Sequence, residues 1–292
     1  MGRNIVKAKL DVIFKRLFAD EDNLDLLHDF LSSLLEIPHD SITNIVVQNP
    51  EIMPESVSGK FSRMDLKLTV NDSLVNVEMQ IKDEPDFRDR VLFYWAKLYS
   101  GDLKSGDEYG DLRQSISINI MNFNMFDCPE YHSVFKIEET TRHEILSDKC
   151  AIHFFELKKI NRKKADKNNR MELWLQLVNA ESEEELDMLQ NTNVPEIKKA
   201  VRVIHRMSDD EKLRELAEMR EKALHVEATA LGHAKREGID IGIGIGIKQG
   251  INQGIHQGIQ QGKQETHDAF IEQMKLSGIP QETIDAIVGR LK

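Results

Sequence analysis

Cysteine is nearly absent: Cys128 and Cys150 are the two in 292 residues. Their separation fits neither a metal-ligand nor a redox motif, which argues against a disulfide scaffold. No stretch is apolar enough to span a bilayer. Arg3, Lys7, Lys9 and Asp11 interrupt any apolar run near the start, so no secretory leader is read there. The expected setting is therefore a reducing cytoplasm, with no membrane partner. Aromatic residues are few, at 6% of the chain. Positive charge is short as well: 39 Lys and Arg stand against 50 Asp and Glu, a net charge of −11. A protein that holds nucleic acid by global charge is disfavoured, although a local basic patch can still do so.

Apolar runs are nonetheless plentiful before residue 160, enough for a sizeable core. Leu10 to Ala19 has helical spacing, with Leu10, Ile13, Phe14, Leu17 and Phe18 on one stripe. Asp11 and Lys15 fall one turn apart on the other side. Asp11 is either an N-cap or an acid overhanging a metal site. A second helix is expected over Asp22 to Glu36, stopped by Pro38. Ser41 to Val47 is β-branched and reads as a strand.

Gly59 to Lys82 reads as a hairpin. Met64 to Val70 alternates, Asn71-Asp72-Ser73 is turn chemistry, and Leu74 to Lys82 returns with Asn76, Glu78, Gln80 and Lys82 on one face. Asp65 and Glu78 are acids in strands, where carboxylates are depleted and costly to bury. A hard cation such as Mg²⁺ would explain them, since it takes carboxylate and water oxygens and can activate water against a phosphodiester. The other reading is the solvated face of an ordinary antiparallel hairpin.

Asp86 suits an N-cap for a helix from Phe87 to about Leu103. Arg90, Tyr94 and Lys97 share one of its faces; they read either as a phosphate-contacting surface or as the solvated flank of an amphipathic helix. Strands are expected over Ser115 to Asn122, Val134 to Glu138 and Ala151 to Ile160. This order implies an α/β sandwich on a mixed sheet rather than a doubly wound one.

The combination of DVIFKRLF, Asp65, VEMQ, FRDRVLFYWAKLYS and HFFELKK resembles the PD-(D/E)XK nuclease family transposases, also called recombination-promoting nucleases, over about residues 5 to 235. The resemblance implies a restriction-endonuclease-like mixed sheet flanked by helices, and cleavage of DNA phosphodiesters with Mg²⁺ or Mn²⁺. It carries the motif's first acid onto Asp65, the second onto Glu78, and the supplementary acid of the first helix onto Asp11. Gln80 stands where the superfamily usually has Lys. A neutral amide orients water but supplies no charge. Lys82, on the same strand face, or Lys67 or Lys15 would then lend it, with Arg90 and Tyr94 in support. Asp65 and Glu78 would hold the metal. The competing reading is a catalytically silent DNA-binding or oligomerising protein on a nuclease fold. A literal transposase has less support, for no DDE-type triad is visible.

Past residue 157 comes a basic cluster, with Lys158, Lys159, Arg162, Lys163 and Lys164 as candidate DNA contacts. Helices are expected over Met171 to Asn179, Glu183 to Gln190, Pro195 to Met207 and Asp209 to about Arg236. From Gly238 to Gly262 glycine recurs every fourth residue, usually followed by Ile. Each Gly costs a helix roughly 1 kcal/mol against Ala, so a lone helix would be marginal. Paired with a second copy, Gly permits close approach and Ile supplies packing. A self-association helix is the favoured reading, and a linker the other. Two short helices, Gln264 to Leu276 and Pro280 to Leu291, close the chain. The expected division is a core at 1–160, a helical extension at 161–236, the repeat at 237–263 and a hairpin at 264–292.

Overall fold

The computed structural model describes residues 5–48, 66–161 and 168–290. Asp65, Arg162, Lys163 and Lys164 lie outside them. The chain divides into two compact units, Met1–Ala223 and Leu224–Lys292.

In the first unit, α1 (Asp11–Ala19) and α2 (Leu24–Leu35) precede β1 (Ile45–Val47), β2 (Leu66–Val70) and β3 (Ser73–Gln80). Then come α3 (Phe87–Ser100), β4 (Ser115–Met121), β5 (His132–Phe135), β6 (Cys150–Glu156), α4 (Arg170–Asn179), α5 (Glu183–Gln190) and α6 (Pro195–Asp209). The described strands form one mixed sheet in the order β1-β2-β3-β4-β6-β5. β1, β2 and β3 are antiparallel, β3, β4 and β6 run parallel, and β5 returns antiparallel on β6. Helices flank the sheet, as expected for a restriction-endonuclease-like core.

Parallel central strands are covered on both faces. That is why all of SISINIM in β4 and CAIHFFE in β6 is buried, polar residues included. Asn76, Glu78 and Gln80 of β3 align with Ser117, Asn119 and Met121 of β4, which align with Ile152, Phe154 and Glu156 of β6. α3 packs on this face: Phe87 and Val91 cluster with Met121, Ile152 and Phe154, and Trp95 Nε1 donates to the Ser115 carbonyl at 2.9 Å. The polar side of β3 is thus not a solvated hairpin face. Asn76 is 2% exposed.

The hairpin turn is closed by Asn71, whose φ of 50° is a left-handed conformation that Asn tolerates. Its Oδ1 accepts from the Thr43 and Asn44 amides and its Nδ2 donates to the Ser41 carbonyl. These bonds tie the turn to the chain leading into β1. That leading chain closes a 3₁₀ turn at His39–Ser41, so β1 is shorter than expected. α3 ends early too. A Cβ on Gly101 would sit 2.8 Å from the Lys97 carbonyl, so only glycine fits that close approach.

α1, α2, α4 and α6 form a helical layer. Phe14, Phe18, Phe30 and Trp174 pack at its centre, with ring centroids 4.3–6.0 Å apart. Each such burial stabilises by about 1.5–3 kcal/mol. Asp29, buried in this layer, accepts from Trp174 Nε1 at 2.7 Å and pairs with Arg170. Asp11 is not the N-cap of α1: Leu10 takes that place, and Asp11 occupies the first helical turn.

α7 (Glu211–Leu276) continues unbroken through the glycine repeat, so the separate helix expected from Gln264 is its last part. α8 (Gln281–Arg290) follows. Within the second unit the turn is a Schellman motif: Gly278 has φ +74°, its amide donates to the Lys275 carbonyl, and the Ile279 amide donates to that of Met274. Met274 and Ile284 are buried there. The isoleucines of the repeat, from Ile239 to Ile259, are each 51–58% exposed. Among the described residues no helix is long and apolar enough to cross a membrane.

Candidate active site

β3 carries Glu78 and Gln80 to the carboxyl end of the central sheet, and α3 brings Arg90 over them. The placement of α3 begins with Phe87, which is buried against Phe123 with ring centroids 5.7 Å apart. Arg90, one turn later, faces the end of β3 while Val91 faces the core. Asp86 occupies the N-cap position but its side chain makes no capping bond, contrary to the role its residue type suggested.

The Arg90 guanidinium is held on several sides. Its Nη2 donates to Gln80 Oε1 at 2.8 Å and lies 3.7 Å from Glu78 Oε1. Its Nη1 pairs with Glu84. Its Cζ stands 5.3 Å from the centroid of the Phe87 ring, within cation–π range. Gln80 uses its other end as well, Nε2 donating to the Lys82 carbonyl at 2.9 Å. The amide therefore acts as a strut between the strand end and the guanidinium.

Two buried atoms in this cluster have no hydrogen-bond partner among the described residues: Glu78 Oε2 and Arg90 Nε. One is an acceptor and the other a donor. Burial pushes the Glu78 carboxyl above the usual carboxylate range; nearby Arg90 pulls it down and Glu84 pushes it up. A buried acid of this kind, with one oxygen unsatisfied, suits a cation supplied from outside the fold. Among the described residues no three His, Cys, Asp or Glu side chains come together as a metal site. Glu78 is thus the described donor that fits, and Asp65 lies outside the described residues.

The other expected residues divide. Lys82 follows β3 and is half-buried, and Tyr94 stands half-buried one turn beyond Arg90 on α3. Lys15 is half-buried on α1. Asp11 accepts both contacts of Arg220 Nε, at 2.9 and 3.1 Å, so its carboxylate is held by the start of α7. Lys158 is exposed on the turn after β6. Lys159 departs from its expected role as a DNA contact. Its ammonium points inward to Glu156 and to the Phe126 and Glu130 carbonyls, and the side chain is 9% exposed. Glu84 was missed by sequence reasoning. The available signal was an acid six residues ahead of Arg90, just before the helix start.

On the opposite face, a cavity of about 400 Å³ opens beside Val75, Ile116, His153 and Lys136. Burial pushes His153 down to about 4, so its ring is neutral near pH 7 and offers no charge to a phosphate.

The family model of the PD-(D/E)XK nuclease family transposase matches residues 8–234. No curated protein and no solved structure matches the chain.

Proposed function

The chain belongs to the PD-(D/E)XK nuclease family transposases, and from that membership, which carries a nuclease-type function, we propose that it is a metal-dependent DNA endonuclease. The observation that carries this reading is Glu78 Oε2: a buried carboxylate oxygen without a hydrogen-bond partner among the described residues, at the end of a central strand. Leu66, the residue after Asp65, pairs with Val77, the residue before Glu78. This supports Asp65 and Glu78 as the shared carboxylates for Mg²⁺ or Mn²⁺. When bound, the divalent ion would polarise the phosphate and activate water for attack. Glu78 would hold it, Gln80 and Arg90 would fix the polar wall around it, and Lys82, Lys15 or Tyr94 would border the DNA. Exposed Lys158 would add a sequence-blind phosphate contact.

The test is cleavage of supercoiled plasmid by purified protein under Mg²⁺ or Mn²⁺, compared with Asp65→Ala and Glu78→Ala. The expected result is metal-dependent cutting that each substitution lowers by about 1,000-fold or more. Intact plasmid with every divalent ion tried, together with retained DNA binding, would favour the silent DNA-binding alternative.

We also propose that the glycine repeat of α7 pairs with a second copy. The support is the half-exposed Ile line and the open space around each repeat glycine. A four-residue period slips about 40° per repeat against the helix turn, which suits a right-handed pair. Replacing Gly246, Gly250 and Gly254 with Leu should raise helicity yet abolish the dimer in sedimentation. An undiminished dimer would refute close backbone approach.

A further inference from the structure

Gln80 leaves the strand without the positive charge that the nuclease pattern puts at that position. The nearest guanidinium comes from elsewhere in the chain. Arg90 Nη2 lies 2.8 Å from Gln80 Oε1 and 3.7 Å from Glu78 Oε1, so its charge stands beside both residues. Glu84 grips Nη1 and Phe87 lies under the guanidinium plane. These contacts leave Nε as a buried donor without a partner among the described residues, in the same cluster as the equally unpartnered Glu78 Oε2. A ligand that brings a cation to Oε2 and an anionic oxygen to Nε satisfies both. A divalent ion with a phosphate oxygen does so.

We propose that Arg90 supplies from α3 the fixed positive charge of the site and donates through Nε to a non-bridging oxygen of the scissile phosphate. Gln80 and Glu84 are its positioning residues. Gln80 is then not a weakened lysine but one end of a brace. Lys could not take this part, because it would set a second cation against Arg90. A guanidinium also stays charged however deeply the DNA covers it, and its fork keeps two hydrogen bonds to the protein while a third serves the substrate. This inference rests on the nuclease reading above.

The test compares wild type with Arg90→Met, Arg90→Lys, Glu84→Gln and the exchange Gln80→Lys/Arg90→Met. Two readouts are taken: Mn²⁺-dependent plasmid cleavage, and Mn²⁺ affinity from the electron paramagnetic resonance of the free ion. Arg90→Met should lower kcat about 100-fold, the loss typical of a removed transition-state donor. It should also bind Mn²⁺ at least about threefold more tightly, since a like charge has left Glu78. A merely structural Arg90 would not tighten metal binding. The exchange variant should recover about tenfold of the lost kcat by returning a cation to the strand. Glu84→Gln should lower kcat about tenfold with KM for DNA unchanged. If Arg90→Met fails to fold, Arg90→Lys decides: unchanged Mn²⁺ affinity with kcat down about tenfold supports the proposal. Wild-type kcat in either Arg90 variant, or an exchange variant that folds yet cuts no better than Arg90→Met, overturns it. A wild type that neither binds Mn²⁺ nor cuts DNA refutes the nuclease reading, and this proposal with it. A wild type that cuts while Arg90→Met cuts equally refutes this proposal alone.

Discussion

Glu78 and Glu156 stand on the same sheet face, at the carboxyl ends of the parallel strands β3 and β6, yet they are treated in opposite ways. Glu156, 1% exposed, accepts from the Met125 and Phe126 amides and from Lys159. Every strong appetite of that carboxylate is met within the fold. The Glu78 side chain is 13% exposed, its Oε1 lies 3.7 Å from Arg90, and its buried Oε2 meets no donor among the described residues. A carboxylate satisfied by its own chain is a structural brace. One left half-satisfied beside a fixed guanidinium has the geometry on which the cation-binding proposal rests. Asp29, bonded to Trp174 and Arg170, falls with Glu156.

The sharpest way to break this contrast is to remove each acid in turn. Glu156→Ala should destabilise the protein by about 3–5 kcal/mol, because Lys159 is left buried without its counter-charge. Chemical denaturation measures it. Glu78→Ala should change stability by no more than about 1 kcal/mol, its loss showing in cleavage instead. Equal destabilisation by both would erase the distinction.

Much of this was legible in the sequence, and what was not has a common cause. Helical spacing marks α1, α4, α5 and α6 within a residue or two of their ends, and the DSLVNVEMQ alternation places Glu78 and Gln80 on one face. The same alternation suggests a solvent-facing side, because period alone does not show that α3 covers it. Lys159 sits in a basic run that reads as a DNA contact. Its acceptors come from residues 126, 130 and 156, whose convergence depends on the β5–β6 pairing. Asp11 and Arg220 are separated by 209 positions, beyond any local rule. The unbroken α7 also defies residue propensity, since glycine at every fourth place lowers helix stability but leaves the hydrogen-bond ladder possible.

A smaller effect is expected from pH. Burial raises the Glu78 carboxyl, so the folded state favours its protonated form. That contribution to stability is full below the ordinary Glu range and is lost as pH rises through the raised value. Glu78→Gln should therefore melt at a higher temperature than wild type at pH 7. The gap should close as pH falls through the raised value into the ordinary range. A gap that is constant with pH would contradict the assigned cause. The smallest effect separates the two neighbouring lysines: Lys158→Ala should reduce the salt slope of DNA binding by about 1 with no change in melting, whereas Lys159→Ala should lower the melting temperature. Matching behaviour would mean that the inward turn of Lys159 has no energetic weight.

The most direct test is an anomalous-difference map from crystals of the protein soaked in Mn²⁺. A peak is predicted about 2.1 Å from Glu78 Oε2, on the side away from the Arg90 fork, with none at Glu156. An empty Glu78 carboxylate in crystals that hold Mn²⁺ elsewhere would contradict its role as the cation's seat.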